Sequence, residues 1–171
     1  MSGRGYLLDC NTLSAYFDEV ESVVQRARKV PPECFGYVSV ITLGEIEFGH
    51  ARNQTTNQAT RDEYEDFIRE NFPWVVCLST DTCKYYGAIR AEVFRRYGPQ
   101  QKTNTTNRPE QLCDRVTGHS LGIDENDLWL AAQAAERAMV LVSNDRMVRI
   151  KDAAFAAGVR LNHENWFEPP P

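Results

Sequence analysis

The sequence has little of what many enzyme centres are built from. Its three histidines, His50, His119 and His163, are scattered without metal-ligand spacing, which argues against zinc. The five cysteines (Cys10, Cys34, Cys77, Cys83 and Cys113) are odd in number and form no C-x-x-C pair. They read as reduced, structural thiols rather than a disulfide frame. No Ser-His or Cys-His arrangement offers a nucleophile with its base. No apolar run approaches the roughly 20 residues of a membrane helix. Nothing resembles a signal peptide, because Met1-Ser2-Gly3-Arg4-Gly5 leads straight into a short strand. The expectation is a soluble, cytoplasmic protein without a membrane partner. A cationic excess is lacking too: the formal charge of −5 speaks against a chain that holds nucleic acid by bulk electrostatics.

What is present is a repeated grammar of acids. Tyr6-Leu7-Leu8 runs into Asp9, Tyr37-Val38-Ser39-Val40-Ile41 into Thr42 and Glu45, and Met139-Val140-Leu141-Val142 into Ser143-Asn144-Asp145. A helix opening at Asp124 carries Asp127 on its first turn. In an open α/β sheet, ligands sit outside the carboxyl ends of the strands, so acids repeated there should converge. Converging carboxylates need a counter-ion, and oxygen ligands without His or Cys point to Mg²⁺ or Mn²⁺.

At 171 residues the chain reads as one domain, 1–167, with a disordered tail at 168–171, and it can bury roughly 70% of its unfolded surface. Strands are expected at about 6–9, 35–41, 75–79, 139–143 and 159–162. Helices are expected at about 12–29, 43–53, 58–71, 81–97, 124–138 and 146–157. This alternation predicts a mostly parallel sheet of about five strands with helices on both faces. Asn11-Thr12 is expected to cap the first helix, and Ala156-Ala157-Gly158 to stop the last. Asn53–Gln58 reads as a polar joint and 98–109 as a surface loop.

Each acid also has a structural explanation. Thr42-x-x-Glu45 has the form of a capping box. Asp124-x-x-Asp127 puts Asp124 at an N-cap and Asp127 where the helix dipole favours an anion. Asp145 can cap the helix that follows it. Asp9 is harder to explain so, since a charge at the mouth of a buried strand is costly unless paired. Asp81, which also follows a strand and opens a helix, reads as a plain cap. Four such coincidences at one sheet edge are less probable than one shared site.

At these positions the chain resembles a known family. Tyr6–Ser14 is similar to the opening of a PIN domain, Ser39–Gly49 to its second acidic motif, Asn126–Ala132 to its third and Leu141–Asp145 to its fourth. Gly158–Asn162 with Asn165-Trp166 is similar to the last strand of the VapC toxins within that family. The resemblance implies a three-layer PIN-like α/β sandwich in which Asp9, Glu45, Asp127 and Asp145 form an acidic quartet, catalytic and metal-binding. Asp9 and Asp127 become the direct Mg²⁺ (or Mn²⁺) ligands, and Asn11 and Ser143 the supporting polar neighbours. It further implies an endoribonuclease toxin of a VapBC-type module that cleaves cellular RNA, is silenced by a cognate antitoxin, and is a homodimer. The net charge is no obstacle to that chemistry. Cys10 stands where Thr is commoner, a change read as lying on the far side of the strand.

Substrate contacts are expected from Arg52, Arg90, Arg95, Arg96, Lys102 and Arg108, with Tyr97 or Trp129 for base stacking. Two other readings share features of the quartet. A non-toxin PIN nuclease in RNA processing has the same acids. A haloacid dehalogenase-type phosphatase also has an Asp after its first strand, but wants a second Asp where this chain has Asn11.

Overall fold

The computed structural model describes residues 5–53, 57–99 and 108–168. Their contacts gather into two compact units. One holds the described residues up to Cys77 together with Met139–Arg146 and those from Asn162 on. The other holds Leu78–Ala138 and Met147–Leu161.

The first unit contains the sheet. Its strands are β1 (Gly5–Leu8), β2 (Phe35–Ser39), β3 (Val75–Val76), β4 (Val140–Val142) and β5 (Asn162–Glu164). They lie in the order β3-β2-β1-β4-β5, and every pairing is parallel. The predicted five-stranded sheet is therefore present and parallel throughout. β1 is central: Leu7 and Leu8, which face opposite sides of the sheet, are both fully buried. β4, beside it, is also interior, and Val140, Leu141 and Val142 are all inaccessible to solvent. Near-continuous apolar runs are what a parallel sheet covered on both faces demands. Tyr6 continues the core beside β1 by packing its ring 5.6 Å from Trp166.

Four helices accompany the sheet in this unit: α1 (Cys10–Phe17), α2 (Glu21–Arg28), α3 (Val40–Arg52) and α4 (Gln58–Asn71). The single helix expected at 12–29 is two. Glu19 adopts a left-handed φ of 54°, with Val20 N donating to Ala15 O and Glu19 N to Tyr16 O. This is the Schellman pattern of a helix end. It normally advertises itself with glycine, and here it does not. The mixed aromatic cluster of Phe17, Tyr64 and Phe67 joins α1 to α4.

The second unit is helical: α5 (Thr80–Tyr97), α6 (Glu125–Glu136) and α7 (Val148–Ala156), with a short 3₁₀ turn at Pro109–Gln111. The stop expected at Gly158 is there, at a φ of 70° and with the same two-bond pattern from Val159 and Gly158 back into α7. Of the loop expected at 98–109, residues 100–107 lie outside the described residues, as do residues 54–56 of the joint at 53–58 and the tail beyond Glu168. Among the described residues, no helix is long and apolar enough to cross a membrane.

Candidate active site

From β1 the chain builds outward to β2 and β3 on one side, and later to β4 and β5 on the other. The order therefore reverses between β1 and β4, and the crevice beyond their carboxyl ends is the place where such sheets bind ligands. Asp9 follows β1 directly, and Ser143 follows β4.

Asp9 extends the ladder by donating its amide to Val142 O at 3.0 Å, then turns the chain into α1 as its N-cap. Its Oδ1 accepts from Thr12 N at 2.7 Å. The Thr12 hydroxyl, fully buried, reaches Val142 O at 3.3 Å and also meets the Asp9 carboxylate. The Ser143 hydroxyl, equally buried, bonds the same carboxylate and accepts from Asp145 N at 3.1 Å. Asp9 is only 5% exposed. Burial pushes its carboxyl above the usual Asp range, outweighing the bonds from Ser143 and Thr12, and the charge of Asp145 pushes the same way. A second carboxylate thus acts on a buried one, and among the described residues no cation is found with it.

The other predicted acids divide. Asp145 is exposed, beside Asp9, and does not cap α7: that helix starts at Val148 after Met147, whose φ is 46° and whose side chain makes no capping bond. The capping explanation for Asp145 is therefore removed. The capping box proposed for Glu45 is removed as well. β2 ends at Ser39, whose extended backbone and hydroxyl, accepting from Ile41 N at 3.0 Å, start α3 at Val40. Thr42 then lies inside the helix, where its buried hydroxyl donates to Leu8 O at 3.2 Å. Glu45, half-buried one turn later, acts with Asp9 on the Cys10 thiol. Burial first, and these two charges next, push that thiol up to about 11. Cys10 is the first residue of α1, near the acids and not on the far side of the strand.

Asp127 sits half-buried in the first turn of α6 in the second unit, after Asp124, which is the expected N-cap and accepts from Asn126 N at 2.8 Å. Asn11 is exposed on the first turn of α1, and the capping expected of Asn11 and Thr12 falls to Asp9. Asp81 is no cap either. Ser79 closes a capping box with Thr82 at the start of α5, and exposed Asp81 pairs with Lys84 at 2.7 Å, which holds its carboxyl below the usual range.

The expected substrate contacts are largely committed elsewhere. Trp129 lies stacked on Tyr86 at 3.7 Å with the rings 3° from parallel. Arg90 packs on the Tyr86 and Phe94 rings and pairs with Glu125. Arg95 and Arg96 pair with Glu92, and Lys102 lies outside the described residues. The sequence reading gave Thr12 and Thr42 no role beyond capping. The signal for them was a hydroxyl at a helical position whose neighbours, Leu13 and Ile46, are core residues.

Among the described residues, no three acidic, His or Cys side chains stand close enough to enclose a metal by themselves. Mg²⁺ does not ask for that, since it keeps several waters and takes only one or two carboxylates. Asp9 with Asp145 beside it, and a neighbourhood of hydroxyl oxygens, fits such an ion in donor type and in uncompensated charge.

No family model and no curated protein matches the sequence. Among solved structures the chain is similar to one of VapBC2 from Rickettsia felis bound to a promoter DNA fragment, at 20% identity and a TM-score of 0.66 over 95% of this chain and 98% of that one. It is similar to a chain of FitAB bound to an IR36 DNA fragment, at 20% identity and a TM-score of 0.65 over 97% and 98%. It is also similar to VapBC-5 from Mycobacterium tuberculosis, a member of the VapBC family of toxin-antitoxin systems, at 18% identity and a TM-score of 0.53 over 94% and 98%. At such identities the likeness speaks for the backbone: the chain has the PIN-like α/β fold of these VapBC and FitAB structures.

Proposed function

We propose that the protein is a Mg²⁺-dependent endoribonuclease and the toxin component of a VapBC-type toxin–antitoxin module. The observation that carries this is Asp9, a buried carboxylate at the reversal of strand order, held by Ser143 and Thr12 with the charge of Asp145 acting on it. The fold shared with VapBC and FitAB chains supports the same reading.

In this proposal Asp9 and Asp127 are the direct ligands. Asp127 is assigned on its sequence motif. Glu45 and Asp145 complete the quartet, one of them serving as general base or further ligand. Mg²⁺ (or Mn²⁺) supplies Lewis acidity, activating water at neutral pH and offsetting the charge of the scissile phosphate. The protein's part is orientation. The Ser143 hydroxyl and the Thr12 amide hold the Asp9 carboxylate in place. The Asp145 amide, bonded to Ser143 Oγ, ties the second acid to the first.

A cognate antitoxin is the proposed partner, and a homodimer the proposed assembly. Within the first unit, a groove of about 790 Å³ between α2 and α4 is lined by Phe17, Val24 and Phe67 together with Glu63, Asp66 and Glu70. Apolar contact beside carboxylates suits a basic amphipathic segment of such a partner.

The test is cleavage of cellular RNA by purified protein in Mg²⁺, beside its Asp9→Asn variant and an EDTA control. Cleavage that needs both Asp9 and the metal is expected. Wild-type rates from Asp9→Asn would overturn the site. Induced expression should arrest growth, with rescue by co-expression of a cognate antitoxin. Cleavage without any growth effect would favour an RNA-processing nuclease of the same fold.

A further inference from the structure

Thr42 occupies a position where a hydroxyl is costly. It is fully buried in α3, and threonine is among the weaker helix formers. A buried hydroxyl left without a partner costs its full desolvation penalty, so an apolar residue of the same shape would be the simpler choice. Helical threonines commonly bond the carbonyl four residues back. This one instead crosses to the neighbouring strand and donates to Leu8 O at 3.2 Å. Leu8 is the last residue of β1 and precedes Asp9. One helical turn beyond Thr42 on the same helix stands Glu45. The bond therefore fastens the helix that carries one acid to the strand end that carries another. Ser39, also fully buried, fixes where that helix starts.

We infer that Thr42 is a positioning residue: its hydroxyl sets Glu45 on α3 relative to Asp9 at the end of β1. This rests on the reading of these acids as a Mg²⁺-dependent nuclease centre. Groups that orient metal ligands typically change metal affinity or activity by about 10–100-fold when removed.

The experiment compares wild type, Thr42→Val, Thr42→Ser and Val93→Ala in the full chain. Val93 is a fully buried residue of α5 and serves as a control for simple loss of packing. Three quantities are read: melting temperature, Mn²⁺ affinity by calorimetry, and kcat and KM for RNA cleavage in Mg²⁺. Thr42→Val should bind Mn²⁺ about 10-fold more weakly and lose about 10-fold or more in kcat, with KM nearly unchanged. Thr42→Ser should recover most of both. Val93→Ala should melt lower yet keep wild-type Mn²⁺ affinity. A Thr42→Val protein that only melts lower, like Val93→Ala, overturns the inference, and so does a Thr42→Ser protein no better than Thr42→Val. If wild type binds Mn²⁺ but cleaves no RNA, the ribonuclease reading falls while the Mn²⁺ titration still decides the role of Thr42. If wild type binds no Mn²⁺, both fall.

Discussion

Asp9 and Glu136 are two carboxylates that the chain treats in nearly the same way and leaves in opposite states. Each takes hydrogen bonds from two hydroxyl-bearing residues: Asp9 from the Ser143 hydroxyl and the Thr12 amide, Glu136 from the hydroxyls of Ser79, at 2.7 Å, and Thr82. The difference is the third neighbour. Beside Glu136 stands the Arg137 guanidinium, and although burial pushes this carboxyl up, the hydroxyls and the cation together hold it below its usual range. Beside Asp9 stands Asp145, and burial with that second negative charge leaves the carboxyl raised despite its hydrogen bonds. Hydrogen bonds from neutral donors orient a carboxylate in both places, but they do not neutralise it. Glu136 is a finished structural staple at the ends of α5 and α6. Asp9 has no such staple among the described residues, and its carboxyl stays raised.

The largest test of that contrast is exchange of each acid for its amide. Asp9→Asn should lower RNA cleavage at least about 1000-fold, the scale on which loss of a central catalytic group is felt. Glu136→Gln should leave cleavage within about threefold while costing roughly 1 kcal/mol of stability, read from urea denaturation. Cleavage that survives Asp9→Asn would put the two acids in one class.

Metal linkage comes next. Mg²⁺ should raise the melting temperature of wild type, because an ion that binds only the folded chain stabilises it by mass action. It should do much less for Asp127→Asn, which in EDTA should itself melt higher than wild type, by something like ~1 kcal/mol of relieved repulsion. Equal Mg²⁺ shifts in the two proteins would reduce Asp127 to an acid that merely suits the dipole of α6.

The pH profiles should then run in opposite senses. With Asp9 raised from 3.8, the folded chain holds a proton that the unfolded chain has released. Metal-free stability is therefore fully present below that unfolded value and is lost as pH rises through the folded one. With Glu136 lowered from 4.5, its contribution is present above the unfolded value and lost as pH falls through the folded one. In EDTA, Asp9→Asn should flatten the decline toward neutral pH, and Glu136→Gln the decline toward acid. Denaturation midpoints across that range decide it, and a common slope change in both variants would be the adverse result.

The smallest effect concerns Cys10. With its thiol pushed up to about 11 by burial, Glu45 and Asp9, it should alkylate far more slowly at mildly alkaline pH than the exposed Cys77, Cys83 and Cys113. Glu45→Gln should speed Cys10 alone, by a few-fold, as followed by mass spectrometry. No change would separate Glu45 from the Asp9 neighbourhood.

The buried strands and the acids that follow them are legible because burial leaves a strong signature: Val140-Leu141-Val142 has no polar member, and the acid-bearing turn comes right after it. The edge strand β5 is not, since it forms at the polar, half-buried Asn162–Glu164 instead of the expected 159–162. What the sequence hid was the register of helix starts. Val40 and Ile41 favour strands by type, so the strand expected to reach residue 41 stops two residues sooner, and packing overrides propensity. That shift moved Thr42 from a cap to the interior of α3 and freed Glu45 from its box. The break at Glu19 was invisible because no glycine marks it. Thr12 and Thr42 were missed as site residues because their partners lie 130 and 34 positions away, beyond any local pattern. The quartet itself was read from four separate motifs. The sheet brings Asp9 and Asp145 near each other, whereas Asp127 still stands on its motif.

One consequence follows from the central place of β1. The groups that finish its end come from much later in the chain, from β4 and the residue after it. Val142 accepts the Asp9 amide and the Thr12 hydroxyl, and Ser143 in turn is held by Glu164 of β5. A nascent chain that stops short of residue 140 carries Asp9 but lacks the clamp that orients it. The Asp9 clamp is thus complete only after β4, Ser143 and β5 have been made.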